Sequence, residues 1–226
     1  MYPFVKRTLD VLLSIIGILL SAPLLLTAIF LLIFSGEFSP VYLSYRVGKG
    51  GRLFRMYKLR TMSSKKPSKS PLTGYNDNRI SFIGRFLRFS KIDELPQFFN
   101  ILNGDLSFVG PRPMLPEVFM YYPKSVQKTL NTIRPGVTGI GSIIFRNEQG
   151  LFKKVKGSYE EFYKQEVAPV KADLELWYIK QYSFKVDFKI LIYTVVAVVY
   201  GQVKSIERRF KNLPSIEIVK QSFDTE

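Results

Sequence analysis

The sequence predicts an α+β fold, mainly helical, attached to an N-terminal membrane segment. Three observations point there: one long uncharged run near the N-terminus, a short alternating stretch around a glycine turn, and several segments with helical periodicity. The chain has 226 residues, enough for one domain of ordinary size together with a membrane element. It contains no cysteine, which excludes disulfides, thiolate zinc sites and cysteine nucleophiles. It contains no histidine, which removes the usual general base near neutral pH and the commonest metal ligand. Any chemistry therefore runs on carboxylates, hydroxyls, lysine or arginine, with a hard oxygen-bound cation as the fitting metal. The net charge is +15, yet 46% of residues are hydrophobic, which is not the composition of a disordered basic tail. Such a chain suits either nucleic acid or an anionic membrane surface with phosphorylated ligands.

The membrane segment comes first. Val11 to Phe34 carry no charge, and a straight helix of that length reaches about 36 Å, enough to cross a hydrocarbon core. The run is longer than a signal-peptide core and no small-x-small cleavage site follows it. Ser21-Ala22-Pro23 falls in its middle, where proline removes a helix hydrogen bond and kinks the helix. Both flanks are basic, with Lys6 and Arg7 before the run and Arg46, Lys49, Arg52, Arg55, Lys58 and Arg60 after it. The positive-inside rule places both ends on the cytoplasmic side. A helix broken at Pro23 that enters and leaves by one face satisfies this; a single pass does not. The residues alone leave re-entrant and spanning forms open.

The polar part follows in order. Residues 41 to 58 alternate around Gly48-Lys49-Gly50-Gly51 and predict a β-hairpin. Residues 62 to 81 are rich in Ser, Pro, Lys and Asn and predict a flexible loop. Residues 82 to 90 predict a helix with Phe82, Ile83, Phe86 and Phe89 as its apolar face and Arg85 and Arg88 opposite. Another helix is expected from about Asp93 to Leu102, with Leu95, Phe98, Phe99 and Leu102 at i, i+3, i+4, i+7. Residues 114 to 134 and 158 to 182 are expected to be helical. The segment LELWYIKQYSFKVDFK mixes aromatic and charged residues as a membrane interface requires. The uncharged run Ile190 to Tyr200 is too short to span and packs in the core or at the interface. The organisation is thus a membrane helix over 1–36, a domain over 37–201 and a polar, peripheral tail over 202–226. Val41 to Lys91 hold 13 basic residues against one acid, Asp77. That is either a solvated face on anionic lipid or a set of phosphate-holding cations. Nucleic acid is disfavoured because this stretch directly follows the membrane segment.

The informative stretch is Lys91-Ile92-Asp93-Glu94-Leu95-Pro96. Pro96 marks the first turn of a helix, so Asp93 and Glu94 are expected at or beside its N-cap. Capping alone would explain them. Gly110-Pro111-Arg112-Pro113 adds a rigid turn that fixes one arginine between two prolines, and Arg134-Pro135-Gly136 repeats the theme. Guanidinium groups grip phosphate oxygens in a bidentate manner. An anionic nucleophile, an adjacent carboxylate free to bind Mg²⁺ and several arginines suit phosphoryl chemistry, in which a carboxylate attacks phosphorus. No glycine-rich nucleotide loop is present. A non-catalytic basic membrane adaptor and a different lipid phosphotransferase stay open beside this reading.

These blocks resemble one family. KRTLD (Lys6 to Asp10), the apolar helix, Arg46-Val47-Gly48, YKLRTM (Tyr57 to Met62), GRFLR (Gly84 to Arg88), KIDELPQFFNILNGDLSFVGPRP (Lys91 to Pro113), RPGVTG (Arg134 to Gly139) and LELWYI (Leu174 to Ile179) are similar to the bacterial sugar transferases. The likeness is to the small monotopic polyprenyl-phosphate phosphoglycosyl transferases and covers roughly residues 5 to 200. It implies transfer of a sugar-1-phosphate from a UDP-sugar donor to a polyprenyl (undecaprenyl) phosphate acceptor, with UMP released. It implies a re-entrant helix-break-helix segment and interfacial amphipathic helices around the active site. The location implied is the cytoplasmic face of the bacterial inner membrane, among membrane lipids. It implies Asp93 as nucleophile, Glu94 as Mg²⁺ ligand, and Lys58, Arg88 and Arg112 as phosphate-binding groups. After RPGVTG the run IGSIIFRNEQ departs from the WAQVNGR-like run of many relatives; Arg146 is the candidate binding residue there.

Overall fold

A computed structural model describes residues 2–63, 79–151, 158–201 and 206–217. Among them the chain is mainly helical with two small two-stranded sheets. Most of the loop expected over 62–81 and the residues around 152–157 lie outside the described residues.

Helix α1 (Tyr2–Phe34) is the apolar segment. It continues through Pro23, so the expected helix-break-helix is corrected to one helix. Proline removes a single backbone hydrogen bond, and the apolar residues on either side keep the rest of the ladder. Lys6, Asp10, Ser14, Ala28 and Leu32 recur at helical spacing and are buried. One stripe of α1 therefore lies on the body near both ends, while Leu12, Leu13, Ile16, Leu20, Leu26 and Phe30 are exposed.

Strands β1 (Val41–Val47) and β2 (Leu53–Leu59) form the expected antiparallel hairpin, in register from Val41↔Leu59 to Val47↔Leu53. Gly50 and Gly51 both take φ of +73° at its tip, the left-handed region open to glycine. Helix α2 (Phe82–Ser90) starts at Ser81, whose hydroxyl accepts from the Gly84 amide. A Cβ on Gly84 would lie 2.1 Å from the Thr61 carbonyl oxygen, so glycine lets α2 rest on the chain that leaves β2. Leu87 faces inward with Leu59, Ala28 and Leu32. Phe82, Phe86 and Phe89 point outward, so most of the aromatic ridge predicted for this helix covers no core.

Lys91 then adopts φ 62°, ψ 14°, a left-handed conformation that costs a non-glycine residue about 1–2 kcal/mol. The chain turns through a short 3₁₀ segment, Ile92–Glu94, before helix α3 (Gln97–Asn103). Asp93 and Glu94 thus precede α3 rather than cap it; Pro96 holds the cap position and offers no side-chain acceptor. Asn100 splices α3 to β2. Its Oδ1 accepts from the Tyr57 amide at 2.9 Å and its Nδ2 donates to the Arg55 carbonyl at 2.7 Å.

Strands β3 (Ser107–Val109) and β4 (Gly136–Thr138) pair in parallel, a sheet too short to show a period in the sequence. The helix expected over 114–134 is two pieces, α4 (Pro116–Phe119) and α5 (Lys124–Leu130), separated before Pro123. Helices α6 (Ile140–Ile144), α7 (Glu148–Leu151) and α8 (Tyr159–Phe162) follow. A π-turn over Tyr163–Val167 leads into α9 (Ala168–Lys180), and α10 (Phe184–Tyr200) ends the domain. Val109, Ile140, Val167, Leu174, Tyr178 and Ile190 centre the main core. Ile206, Phe210 and Ile216 join it, and the Trp177 indole donates to the Lys211 carbonyl at 3.1 Å. The described part of the C-terminal segment is therefore packed, not peripheral: three apolar residues among polar ones suffice to bury it.

Asp187 on α10 ties α1 to the domain. Lys6 and the Tyr2 hydroxyl both reach its Oδ2, and the Tyr178 hydroxyl donates to its Oδ1 at 2.7 Å. Arg7 donates to the Ile101 and Leu102 carbonyls, and Asp10 accepts from the Phe108 amide at 3.1 Å. Asn100→Ala is expected to lower stability by about 1–3 kcal/mol, because it removes two hydrogen bonds to part-buried backbone groups of β2. Chemical denaturation of the detergent-solubilised chain measures this; a change within about 0.5 kcal/mol would show that β2 and α3 hold together without the splice.

Candidate active site

The site is built where the end of β2, the 3₁₀ turn and the Gly110-Pro111-Arg112-Pro113 turn converge. Arg46, Met56, Lys58, Glu94, Gln97, Arg112, Pro113 and Val137 line one cleft. The strand β2 delivers Lys58, whose Nζ lies 2.9 Å from Glu94 Oε1. The left-handed turn at Lys91 brings a second ammonium to the same oxygen at 3.7 Å. Backbone hydrogen bonds hold the N-terminal side of the arginine turn. The Gly110 amide donates to the Thr138 carbonyl at 2.9 Å and the Gly136 amide to the Pro111 carbonyl at 2.8 Å. A Cβ on Gly136 would meet the Gly110 nitrogen at 2.1 Å, so the two proline turns pack with no room for a side chain between them.

The two carboxylates of the turn are pushed apart. Burial raises the carboxyl of Glu94, but Lys58, Lys91 and Arg112 outweigh it and hold it well below the usual range. Burial and the neighbouring Glu94 charge raise Asp93, with Lys58, Lys91 and Arg88 pulling the other way. Asp93 is 6% exposed, and its Oδ1 has no hydrogen-bond partner among the described residues. An unpaired buried carboxylate oxygen is costly and is rarely kept for packing. Lys58 is lowered, first by its burial and then by Arg112, against the pull of Glu94. Arg46 is lowered to about 10 by burial and by Arg112.

Of the six residues marked in the sequence, Asp93 and Glu94 form the dyad and the charges of the other four act on it. Lys58, Glu94 and Arg112 line the cleft. Arg88 bonds Thr61 Oγ1 at 2.7 Å and its charge acts on Asp93. Arg146 does not line the cleft; burial lowers it, against the charge of Glu94. Asp93 does not line the cleft and is covered. Arg134, the second proline-flanked arginine, serves the fold instead, donating to the Gly104 carbonyl at 2.8 Å. Arg46 and Gln97 are lining residues that the sequence pattern did not single out; Arg46 opens the matched Arg46-Val47-Gly48 block, which was the available signal.

Asp93 and Glu94 are adjacent, and among the described residues no third acidic side chain joins them to form a protein-only metal cage. A cation that keeps water and takes diphosphate oxygens needs none. Glu94, held ionised at the cleft, is the kind of oxygen donor such a cation takes.

The depressed Glu94 stabilises the fold above the ordinary carboxylate range, about 4.3, and that contribution is lost as pH falls from there toward its folded value. Lys58→Met is expected to raise the Glu94 pKa and to flatten this acid-side loss of stability. Carboxyl-carbon NMR and denaturation between pH 3 and 6 measure both; an unmoved Glu94 would show that Lys91 and Arg112 alone hold it ionised.

The bacterial sugar transferase family profile matches residues 1–201. A UDP-N-acetylgalactosamine-undecaprenyl-phosphate N-acetylgalactosaminephosphotransferase of Aeromonas hydrophila is 30% identical over 203 residues, covering 88% of this chain and 45% of that protein. A UDP-glucose:undecaprenyl-phosphate glucose-1-phosphate transferase of Caulobacter vibrioides is 35% identical over 193 residues, 84% of this chain and 68% of that one. An uncharacterized sugar transferase of Bacillus subtilis is 36% identical over 165 residues, 73% and 72% of the two chains. The chain spans less than half the length of some curated relatives it matches, 45% for the Aeromonas protein and 42% for a galactosyl transferase of Streptococcus agalactiae. The chain belongs to the bacterial sugar transferase family.

Proposed function

We propose that the chain transfers a sugar-1-phosphate from a UDP-sugar to a membrane polyprenyl phosphate such as undecaprenyl phosphate, by two displacements at one phosphorus. In the first, a carboxylate oxygen of Asp93 attacks the phosphorus that bears the sugar; its bond to the bridging oxygen breaks and UMP leaves. In the second, a phosphate oxygen of the acceptor attacks the same phosphorus, the bond to Asp93 breaks, and the sugar-bearing polyprenyl diphosphate departs. The observation that carries this reading is the dyad itself: Glu94 clamped ionised by Lys58 and Lys91, beside an Asp93 with an unpartnered buried oxygen. Donor binding must turn Asp93 toward the cleft, since the side chain is covered in the resting chain.

Arg112, Lys58 and Arg46 supply positive charge to the cleft, and Arg88 and Arg146 bring theirs to the dyad. They position the diphosphate and offset the charge that builds on the leaving phosphate. Glu94 would hold Mg²⁺, which offsets repulsion between the attacking carboxylate and the diphosphate. No histidine is needed, because the acceptor phosphate is already anionic.

The membrane arrangement supports the same reading. Residues near both ends of α1 pack on one body, Lys6 and Arg7 at one end and Ala28 and Leu32 at the other, while its apolar flank is exposed. A crossing helix would carry its far end away from the domain. With the outward phenylalanines of α2 and the exposed Phe184, Phe188, Val195 and Val199 of α10, α1 would seat the dyad at headgroup depth on the cytoplasmic face.

A panel of UDP-sugars with undecaprenyl phosphate is expected to give UMP release with at least one donor. Asp93→Asn is expected to lower that rate at least about a thousandfold while the protein still folds. Normal turnover by this variant would exclude the covalent route. The chain has no native cysteine, so single cysteines at Phe4 and Glu37 can be labelled in sealed inner-membrane vesicles. Both are expected to react from the cytoplasmic side; labelling from opposite sides would establish a spanning helix.

A further inference from the structure

The Pro111-Arg112-Pro113 turn has one backbone N–H, that of Arg112, because proline has none. That amide donates to Oε1 of Glu175, on α9, at 3.3 Å. Glu175 is 2% exposed, and its Oε2 has no hydrogen-bond partner among the described residues. It lies against the backbone of α6: a Cβ on Gly141 would come within 2.8 Å of Oε1. From the side of α6, the Arg112 guanidinium reaches Ser142 Oγ at 3.5 Å. Burial raises the Glu175 carboxyl to about 7, against the lowering effect of the Arg112 amide, Lys171 and the Arg112 guanidinium. Lys171 is committed elsewhere, bonding Glu148 at 2.6 Å and Tyr163 at 3.3 Å and lying over the rings of Phe145 and Tyr163. A carboxyl in such a place destabilises the fold unless it performs a task that an apolar residue cannot.

We propose that Glu175 is the positioning residue for Arg112: by gripping the single amide of the proline-flanked turn, it sets the direction in which the guanidinium enters the cleft of Lys58 and Glu94. Its consequence is affinity for the donor diphosphate, and in this it rests on the donor-site reading given above. The geometry explains why the acceptor is a side chain. The turn's flanking backbone groups are already spent on β4, and Arg112 must leave the sheet to reach the cleft.

Two measurements test this on the full chain in nanodiscs. The first is hydrogen exchange of the peptide carrying Arg112, which is independent of turnover. Glu175→Leu is expected to speed exchange of that amide about tenfold or more, and Glu175→Gln, which keeps an acceptor oxygen, to preserve most of the protection. Gly141→Ala, which displaces Oε1, is a second variant expected to speed exchange should Glu175→Leu fail to fold. Unchanged protection in the variants that fold would overturn the proposal. The second is steady-state kinetics with a UDP-sugar that the wild type uses. Glu175→Leu is expected to raise the donor KM about tenfold with kcat altered less than about threefold, and Glu175→Gln to rescue it. In an Arg112→Ala background Glu175→Leu should add nothing, because its effect passes through Arg112. Losses that multiply in that background would mean a structural role and overturn the proposal. A wild type that uses no UDP-sugar would sink the donor-site reading, while amide protection would still decide whether Glu175 holds the turn.

Discussion

Two successive carboxylates withdrawn from water in one tight turn repel each other and lose hydration, so they can stay charged only if cations are brought to them. Asp93 and Glu94 are in this position, and much of the architecture serves to bring those cations. The hairpin delivers Lys58 from β2. The left-handed Lys91 folds its own ammonium back onto Glu94. Helix α2, lowered onto the end of β2 through Gly84, presents Arg88. The parallel pair β3–β4 locks two proline turns back to back and projects Arg112. The outcome is asymmetric, with Glu94 lowered by its cations and Asp93 raised by burial. That asymmetry separates a charge that stays fixed from an oxygen left for a ligand.

The membrane helix belongs to this arrangement rather than being a detachable anchor. Asp10 holds the Phe108 amide in β3, and Arg7 caps the carbonyl end of α3. Helix α3 follows the dyad in the chain, and β3 leads into the arginine turn. The buried Lys6–Asp187 pair, joined by Tyr2 and Tyr178, fixes α1 to α10. Removing one partner of such a pair leaves an uncompensated buried charge, which typically destabilises by about 3–5 kcal/mol. The seating of α1 and the fold around the dyad are therefore coupled through the same few hydrogen bonds.

The features legible in the sequence were those with a local signature. Alternation around consecutive glycines gave the hairpin, the uncharged run gave α1, and adjacent acids followed by proline gave the dyad. Arg112 was legible because prolines flank it. The rest depended on contacts between distant segments. No period exposes a three-residue parallel strand. Nothing in the hydrophobic pattern says that Phe82, Phe86 and Phe89 would face outward, since a membrane-facing ridge and a core-facing ridge have the same spacing. Pro23 implied a break, but a proline costs one hydrogen bond and the helix continues past it. Arg46 carried no charge pattern of its own within a basic stretch; its one signal was the Arg46-Val47-Gly48 block, and the fold places it at the cleft.

The account stands on whether Asp93 carries the sugar phosphate. Purified chain in nanodiscs, incubated with a UDP-sugar that yields UMP and quenched before acceptor is added, can be digested and mapped by mass spectrometry. The account predicts a sugar-phosphate mass increment on the peptide containing Asp93, lost on addition of undecaprenyl phosphate. Product accumulation with no adduct on that peptide would contradict it.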